Sequence, residues 1–254
     1  VDPDADGYVG TLNQNSVTIA EALKPSGYRT YLSGKWHLSS DQPNKATWPV
    51  GRGFDRSFSC IAGTTDYFHP KYLVLDDKFY LPPEECYFTD LIGDYSVRFI
   101  EDHFESHAED PFFMYIPFTA PHFPLQAPTD RVEACRARFD HGYEEENRQR
   151  YERMKELGVI DPQWELSPRP EGVPEWDNLP DDEKKRLSHI MEVYAAMVEI
   201  MDENVGKVVS ALKKEEALDN TVIMFLSDNG ACAEGGIPSK NEKIGVDWAY
   251  VQNT

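Results

Sequence analysis

Lys35 and His37 stand two positions apart at the end of a short apolar run, in the segment TYLSGKWHL. His122 lies further along the chain in TAPHFPLQAP, where prolines stiffen the backbone around the imidazole. A lysine holds an anionic group through its charge, and histidines move protons near neutral pH. These three side chains therefore indicate chemistry on an anionic group.

Asp228 and Asn229 follow the run TVIMFL, and Gly230 comes next. Asp-Asn-Gly is an ordinary turn sequence, so the triplet alone leaves a turn and a metal site both open. A carboxylate beside a carboxamide supplies two hard oxygen ligands, which suit Ca²⁺ or Mg²⁺ better than zinc. We therefore name both residues as candidate metal ligands.

The elements that position these side chains follow from hydrophobic periodicity. The sequence predicts a helix in SVTIAEALK, capped by Ser16 and ended by Pro25 and Gly27, and then a strand over Tyr28 to Ser33. A helix over Thr89 to His107 precedes a buried strand in FFMYIPF, and TVIMFL is a third strand. The ends of these strands would meet at one edge of a largely parallel sheet in an α/β fold.

The remaining segments are predicted to cover or support this edge. Ser39 to Pro83 is rich in Gly, Pro and Asp and is predicted to form long loops with short strands over the site. We expect charged helices over Asp130 to Leu157 and a surface insertion over Asp161 to Pro180. Asp181 to Glu216 should form one or two helices with a buried stripe of Met and aromatic residues that includes Met191, Tyr194 and Met197.

Composition excludes several classes of protein. The chain has 254 residues with 40% hydrophobic residues, which is typical of a globular protein, and no apolar run approaches the length that spans a bilayer. A net charge of −20 argues against nucleic acid as a partner, because phosphate backbones are bound by an excess of Lys and Arg. The cysteines form neither a CxxC pair nor a disulfide framework; they are Cys60, Cys86, Cys135 and Cys232.

Several motifs together resemble the sulfatase family. GYRTYLSGKWHL looks like the second sulfatase signature, and the AP-H-x-P and FLSDNG stretches resemble two later active-site segments of arylsulfatases. GRGFD, VYAAMVEIMDENVGKVV and the closing DWAYVQNT follow in the order found in bacterial arylsulfatases. The resemblance implies the alkaline-phosphatase-like fold, a central mixed, largely parallel β-sheet flanked by helices, with residues 1–254 as an incomplete catalytic domain.

The same resemblance implies roles for the candidate residues. Lys35 resembles the lysine that contacts the nucleophile and the sulfate, and His37 the histidine that takes a proton from the nucleophile. His122 resembles the histidine at the leaving oxygen of the ester. Asp228 and Asn229 resemble two ligands of the active-site Ca²⁺, for which Mg²⁺ is the second choice. The implied substrate is a sulfate ester, either an aryl sulfate or a sulfated glycan, and the implied location is periplasmic or secreted.

The sequence departs from the family at the nucleophile. Sulfatases use a formylglycine made from the Cys or Ser of a Cys/Ser-x-Pro/Ala-x-Arg motif, and this sequence contains no such motif. The nearest approach is Cys135-Arg136-Ala137-Arg138, where an arginine comes one position early, so we do not assign Cys135 as the nucleophile. We expect an internal fragment that lacks the nucleophile segment and the closing segment and is inactive by itself.

Two alternatives stay open on the sequence alone. A phosphatase or phosphonate hydrolase of the same superfamily would share the scaffold, although GKWH favours a sulfatase. A non-catalytic relative would bind sulfated ligands without cleaving them. In the segment TTDYFHP, Asp66, Tyr67 and His69 could line the substrate pocket or form a packed aromatic loop.

Overall fold

The computed structural model describes residues 10–39 and 44–230. In these ranges the strands are β1 (Arg29–Lys35), β2 (Arg56–Cys60), β3 (Leu73–Leu75), β4 (Lys78–Phe79) and β5 (Phe112–Tyr115). The α-helices are α1 (Ile19–Leu23), α2 (Phe88–His107), α3 (Thr129–Ala134), α4 (Tyr143–Glu156) and α5 (Asp181–Lys214). The chain divides into two compact units, one formed by the described residues up to Pro124 with Val198–Asp228, the other by Leu125–Met197 with residues 229 and 230.

The five strands of the first unit form one sheet in the order β4-β3-β2-β1-β5. β1 lies between β2 and β5 and is parallel to both, whereas β3 and β4 continue the sheet antiparallel to β2. α2 packs on β1 and β2. This arrangement confirms the predicted mixed sheet flanked by helices, in which two of the four strand pairs are parallel.

β1 lies in the core, although its sequence mixes apolar and polar residues. Its five central residues are all buried, as expected for a strand of a parallel pair that is covered on both faces. Leu32, Trp36 and Trp48 belong to one cluster of buried side chains, together with Phe54. β1 is therefore a rigid base for the residues at its carboxyl end.

The predicted first helix is real, but its cap is not Ser16. Thr18 is the N-cap of α1: its hydroxyl accepts from the backbone N–H of Glu21, and the Glu21 carboxylate accepts from the N–H of Thr18. This reciprocal pair satisfies two helix donors, which Ser16 would do only for a helix that starts earlier. Gly27 ends the helical segment in the left-handed conformation, as the sequence predicts.

α2 and α5 confirm the two long predicted helices, but the buried stripe of α5 is displaced from the predicted one. Met197 and Ile200 are buried, whereas Met191 and Tyr194 are 38% and 37% exposed. The buried residues follow helical spacing from Val193, and Met191 lies on the opposite side of the helix from that face. The expectation that Met191 and Tyr194 belong to the core is therefore wrong.

The predicted third strand, TVIMFL, is also wrong: residues 221–227 form no strand. Their apolar side chains face solvent, with Val222 85% and Phe225 72% exposed. A strand forms only when a neighbour pairs with its backbone N–H and C=O groups, and no described strand pairs with this segment. The side chains that follow it are therefore not placed by the sheet in the described residues.

The second unit matches its predicted charged and irregular segments. α3 and α4 account for the helical prediction, and α4 buries no side chain. Between α4 and α5 the regular structure is limited to a 3-10 turn over Trp176–Asn178. No helix in the described ranges combines the length and the apolar composition that a bilayer crossing requires.

Candidate active site

Lys35 is the last residue of β1 and is half-buried. Its backbone N–H donates to the carbonyl of Pro117 at 2.8 Å, and in the strand register it is paired with Cys60 of β2. Trp36, the next residue, is buried and donates its indole N–H to the carbonyl of Thr47 at 2.8 Å. The tryptophan thus anchors the chain between the two candidate cations.

His37 adopts the left-handed backbone conformation, with φ of 56°, which is uncommon for a residue other than glycine. The imidazole lies against the backbone of Gly63: a β-carbon on Gly63 would be 2.4 Å from Nε2 of His37. The chain therefore turns sharply after β1 and brings this histidine over the loop that follows β2.

His122 lies in the loop after β5, and the peptide bonds Ala120–Pro121 and Phe123–Pro124 on its two sides are cis. Its backbone N–H donates to the carbonyl of Thr119 at 2.9 Å. Its Nδ1 lies 2.7 Å from the carbonyl oxygen of Phe123. A carbonyl only accepts hydrogen bonds, so Nδ1 carries a proton, and Nε2 is the nitrogen that can exchange one with a ligand.

The electrostatics link these three side chains. The pKa of His37 is lowered from its ordinary value, first by burial and then by the positive charges of Lys35 and His122. Lys35 and His37 at the carboxyl end of β1 therefore lie close enough to His122, in the loop after β5, for their charges to interact. A neutral imidazole, a fixed ammonium and a second imidazole can hold an anion and move its protons.

Asp228 and Asn229 are both exposed and follow the unpaired segment 221–227. The charge of Asp228, second to burial, raises the pKa of Tyr115, so its carboxylate lies near the end of β5. Asn229 donates its side-chain amide to the carbonyl of Gly230 at 2.8 Å. No group of three or more His, Cys, Asp or Glu side chains in the described part of the chain could hold a metal.

The donor chemistry at this position suits a hard cation, but the number of donors does not. Ca²⁺ takes 6–8 oxygen ligands. Asp228 and Asn229 supply two side chains, so the described residues do not assemble a calcium site by themselves.

The loop in TTDYFHP combines packing with a contact to the site. Tyr67 and Phe68 are buried, and Asp66 accepts from the backbone N–H groups of Phe68 and His69 in a tight turn. Tyr67 also donates its hydroxyl to the carbonyl of His122 at 2.9 Å. The sequence predicts neither this bond of Tyr67 nor the contact of Gly63 with His37, because both depend on tertiary structure.

The comparisons with known proteins decide the family. The sequence model of the Sulfatase family matches residues 2–249. The chain belongs to the sulfatase family. An uncharacterized sulfatase of Schizosaccharomyces pombe is 36% identical over 247 residues, which cover 91% of this chain and 43% of that protein.

Other sulfatases match a similar length of this chain. The arylsulfatase of Klebsiella aerogenes is 33% identical over 237 residues, which cover 89% of this chain and 50% of the enzyme. The solved structure of Ps i-CgsB in complex with k-i-k-neocarrahexaose has a TM-score of 0.60 at 24% identity and covers 92% of this chain and 44% of that one. This likeness supports the alkaline-phosphatase-like fold. The chain spans about half the length of the curated relatives it matches.

Proposed function

We propose that the chain contributes to the active site of a sulfuric ester hydrolase, with Lys35, His37 and His122 acting on a sulfate ester. The observation that carries the proposal is that the loop after β2 contacts both histidines, at the His37 ring through Gly63 and at the His122 carbonyl through Tyr67, in a chain of the sulfatase family. Residues 1–254 are, in this proposal, part of the catalytic domain of a periplasmic or secreted enzyme.

His37 is suited to accept a proton. Its pKa is below the ordinary value, so at neutral pH the imidazole is uncharged and has a nitrogen available as a base. Lys35 keeps its positive charge beside it and contacts the sulfate oxygens. The ammonium thus favours the bound anion and, by the same charge, keeps His37 neutral.

His122 is suited to donate a proton to the leaving group. Its Nδ1–H is committed to the carbonyl of Phe123, which fixes the plane of the ring and directs proton exchange to Nε2. A proton given from Nε2 to the ester oxygen stabilises the alcohol or phenol as it departs.

Formylglycine and Ca²⁺, when present, would supply the nucleophilic oxygen and neutralise sulfate charge. Asp228 and Asn229 would be two of the calcium ligands, and the remaining ligands would come from outside the described residues. Mg²⁺ is the second choice, because the same oxygen donors suit both ions. Because the sequence has no Cys/Ser-x-Pro/Ala-x-Arg motif, we expect the 254-residue chain alone to be inactive.

The test compares the complete protein with two single variants, His37→Ala and His122→Ala, on an aryl sulfate. Loss of one proton-transfer group should lower kcat by about 10²-fold or more. His141→Ala is the matched control, because His141 is an exposed histidine paired with Glu146 in the second unit and should leave kcat unchanged.

Three outcomes would contradict the proposal. Faster hydrolysis of an aryl phosphate or phenylphosphonate than of the sulfate would favour a phosphatase or phosphonate hydrolase. Binding of a sulfated glycan without turnover of any ester would favour a non-catalytic relative. Unchanged kcat in both histidine variants would remove these residues from the mechanism.

A further inference from the structure

One loop touches both candidate catalytic histidines. The segment Gly63–Tyr67, which follows β2 and is called here the Gly63–Tyr67 loop, begins against His37 and ends against His122. At its first residue, a β-carbon would lie 2.4, 2.8 and 2.9 Å from Nε2, Cε1 and Cδ2 of the His37 ring. At its last residue, the Tyr67 hydroxyl donates to the His122 carbonyl at 2.9 Å.

The far end of the loop is firmly held. The Tyr67 side chain is fully buried and stacks on Tyr87, with ring centroids 5.7 Å apart. Its carbonyl accepts from the N–H of Phe88, the first residue of α2, at 2.7 Å. The hydroxyl of Thr65, in the middle of the loop, accepts from the N–H of Lys71 at 2.8 Å. Tyr67 therefore presents its hydroxyl from a position fixed by α2.

Gly63, at the start of the loop, can lie against His37 because it has no side chain. Nothing larger than hydrogen fits on Gly63 without moving the His37 ring, since real β-carbons essentially never approach other atoms within 3.0 Å. The ring and the glycine backbone are thus in direct contact. This contact limits how far the imidazole can rotate toward the loop, while the backbone of His37 stays in the left-handed conformation.

We propose that the Gly63–Tyr67 loop is a positioning element that sets the separation between the imidazoles of His37 and His122. Gly63 acts by packing against the first ring, and Tyr67 acts by holding the backbone that carries the second. Neither residue touches the reacting atoms. The inference rests on the proposed function, because a fixed separation matters only if both histidines act on one ester.

The main test is Tyr67→Phe in the complete protein, which removes the hydroxyl and keeps the buried ring. Loss of this hydrogen bond should let His122 drift from the leaving oxygen, and misplacement of this kind lowers rates by about 10- to 100-fold. The loss should grow with the pKa of the leaving group, because only poor leaving groups need a proton from His122. kcat/KM is therefore measured over a series of aryl sulfates, from acidic to weakly acidic phenols.

Tyr31→Phe is the matched control. Tyr31 is also buried and also loses a hydrogen bond, the one to Nδ1 of His103 at 3.0 Å, but it contacts neither site histidine. The control should change kcat/KM equally for all leaving groups or not at all. An equal loss across the series in Tyr67→Phe, or no loss, would overturn the proposal.

A second measurement does not depend on turnover. The imidazole NMR signals of His37 and His122 are compared in wild type, Tyr67→Phe and Gly63→Ala, with the fold of each variant checked by circular dichroism. We expect Tyr67→Phe to move the His122 signals and Gly63→Ala to move the His37 signals, whereas Tyr31→Phe moves neither. Unmoved signals in a folded variant would refute the positioning role, whereas moved signals in a protein that cleaves no sulfate ester would refute the proposed function alone.

Discussion

Gly34 and Pro117 approach so closely that a β-carbon on Gly34 would lie 2.1 Å from the carbonyl oxygen of Pro117. Gly34 also has a φ of 139°, which side chains rarely permit. The next residue, Lys35, donates its N–H to the same carbonyl at 2.8 Å. The glycine of GKWH thus lets the end of β1 join the segment that leads from β5 to His122.

Gly34→Ala should therefore destabilise the protein by at least about 2 kcal/mol, since it adds both overpacking and backbone strain. The measurement is the free energy of unfolding in urea. Gly206→Ala is the control: Gly206 lies within α5 with open space around it, and alanine there should stabilise by about 0.5–1 kcal/mol. Equal stability of the two variants would contradict the close approach.

The fold around this junction was accessible from the sequence because it depends on local periodicity. β1, α2 and α5 each have a hydrophobic pattern long enough to identify them, and their predicted and observed bounds agree within a few residues. The prediction of a strand in TVIMFL is wrong for the opposite reason. Its composition suits a strand, but strand formation depends on a partner, which composition does not specify.

The residues of the candidate site also fall into two groups, those that the sequence predicts and those that it does not. Motifs identify Lys35, His37 and His122, since the residue types of these three side chains carry the chemistry. Gly63 and Tyr67 could not be predicted, because one matters for the space it leaves and the other for a bond to a backbone carbonyl 55 positions away. Contacts of this kind leave no periodic trace in the sequence.

Lys35→Met should raise the pKa of His37. The ammonium of Lys35 disfavours the charged imidazole, so removing it makes protonation easier, while burial of the ring still holds the pKa below the ordinary value. The pKa is measured by NMR titration of the histidine ring signals. Lys213→Met removes an exposed lysine from the end of α5 and should leave the titration of His37 unchanged; identical curves for the two variants would show that Lys35 does not act on His37.

Arg52, the arginine of GRGFD, is 1% exposed and ties the start of the described chain to the core. Its guanidinium donates to the Glu21 carboxylate at 2.9 Å and to the carbonyls of Leu12 and Ser16 at 2.9 and 2.6 Å. Arg52→Ala should destabilise the protein by about 2–3 kcal/mol, because it removes a buried guanidinium that donates to a carboxylate. Chemical denaturation measures the loss.

The exposed pair Arg153 and Glu156 is the control for this substitution, since both side chains are 66% exposed. Arg153→Ala should change stability by less than about 1 kcal/mol. A small effect of Arg52→Ala, comparable with that of Arg153→Ala, would mean that the segment around Leu12 and Ser16 is not held by this guanidinium.

Asp228→Ala tests the proposed calcium site. The complete protein should retain Ca²⁺ through gel filtration in metal-free buffer and lose it in this variant, because a calcium site depends on about 6–8 oxygen ligands and this substitution removes a carboxylate. Metal content is measured by mass spectrometry. Asp219→Ala removes a nearby exposed carboxylate and should leave the metal in place; retention of Ca²⁺ after Asp228→Ala would exclude Asp228 as an essential ligand.

His103 makes stability depend on pH. It is buried, its Nδ1 lies 3.0 Å from the Tyr31 hydroxyl, and it is faced by His107, Asp110 and Arg29. Burial lowers its pKa below the ordinary value of 6.5, so the native protein takes up this proton less readily than the unfolded chain. The stability that neutral His103 contributes is therefore fully present above pH 6.5 and is lost as the pH falls below that value. Each unit by which the pKa in the folded protein lies below 6.5 corresponds to about 1.4 kcal/mol of this stability.

The double variant Tyr31→Phe, His103→Leu replaces both polar partners and removes the titrating group without leaving a buried hydroxyl unpaired. Its unfolding free energy, measured by urea denaturation at closely spaced pH values, should fall less steeply between pH 6.5 and pH 5 than that of the wild type. His69→Gln, at a side chain 64% exposed, should keep the wild-type slope. A double variant with the wild-type slope would place the acid sensitivity in other groups and show that His103 titrates alike in the folded and unfolded chain.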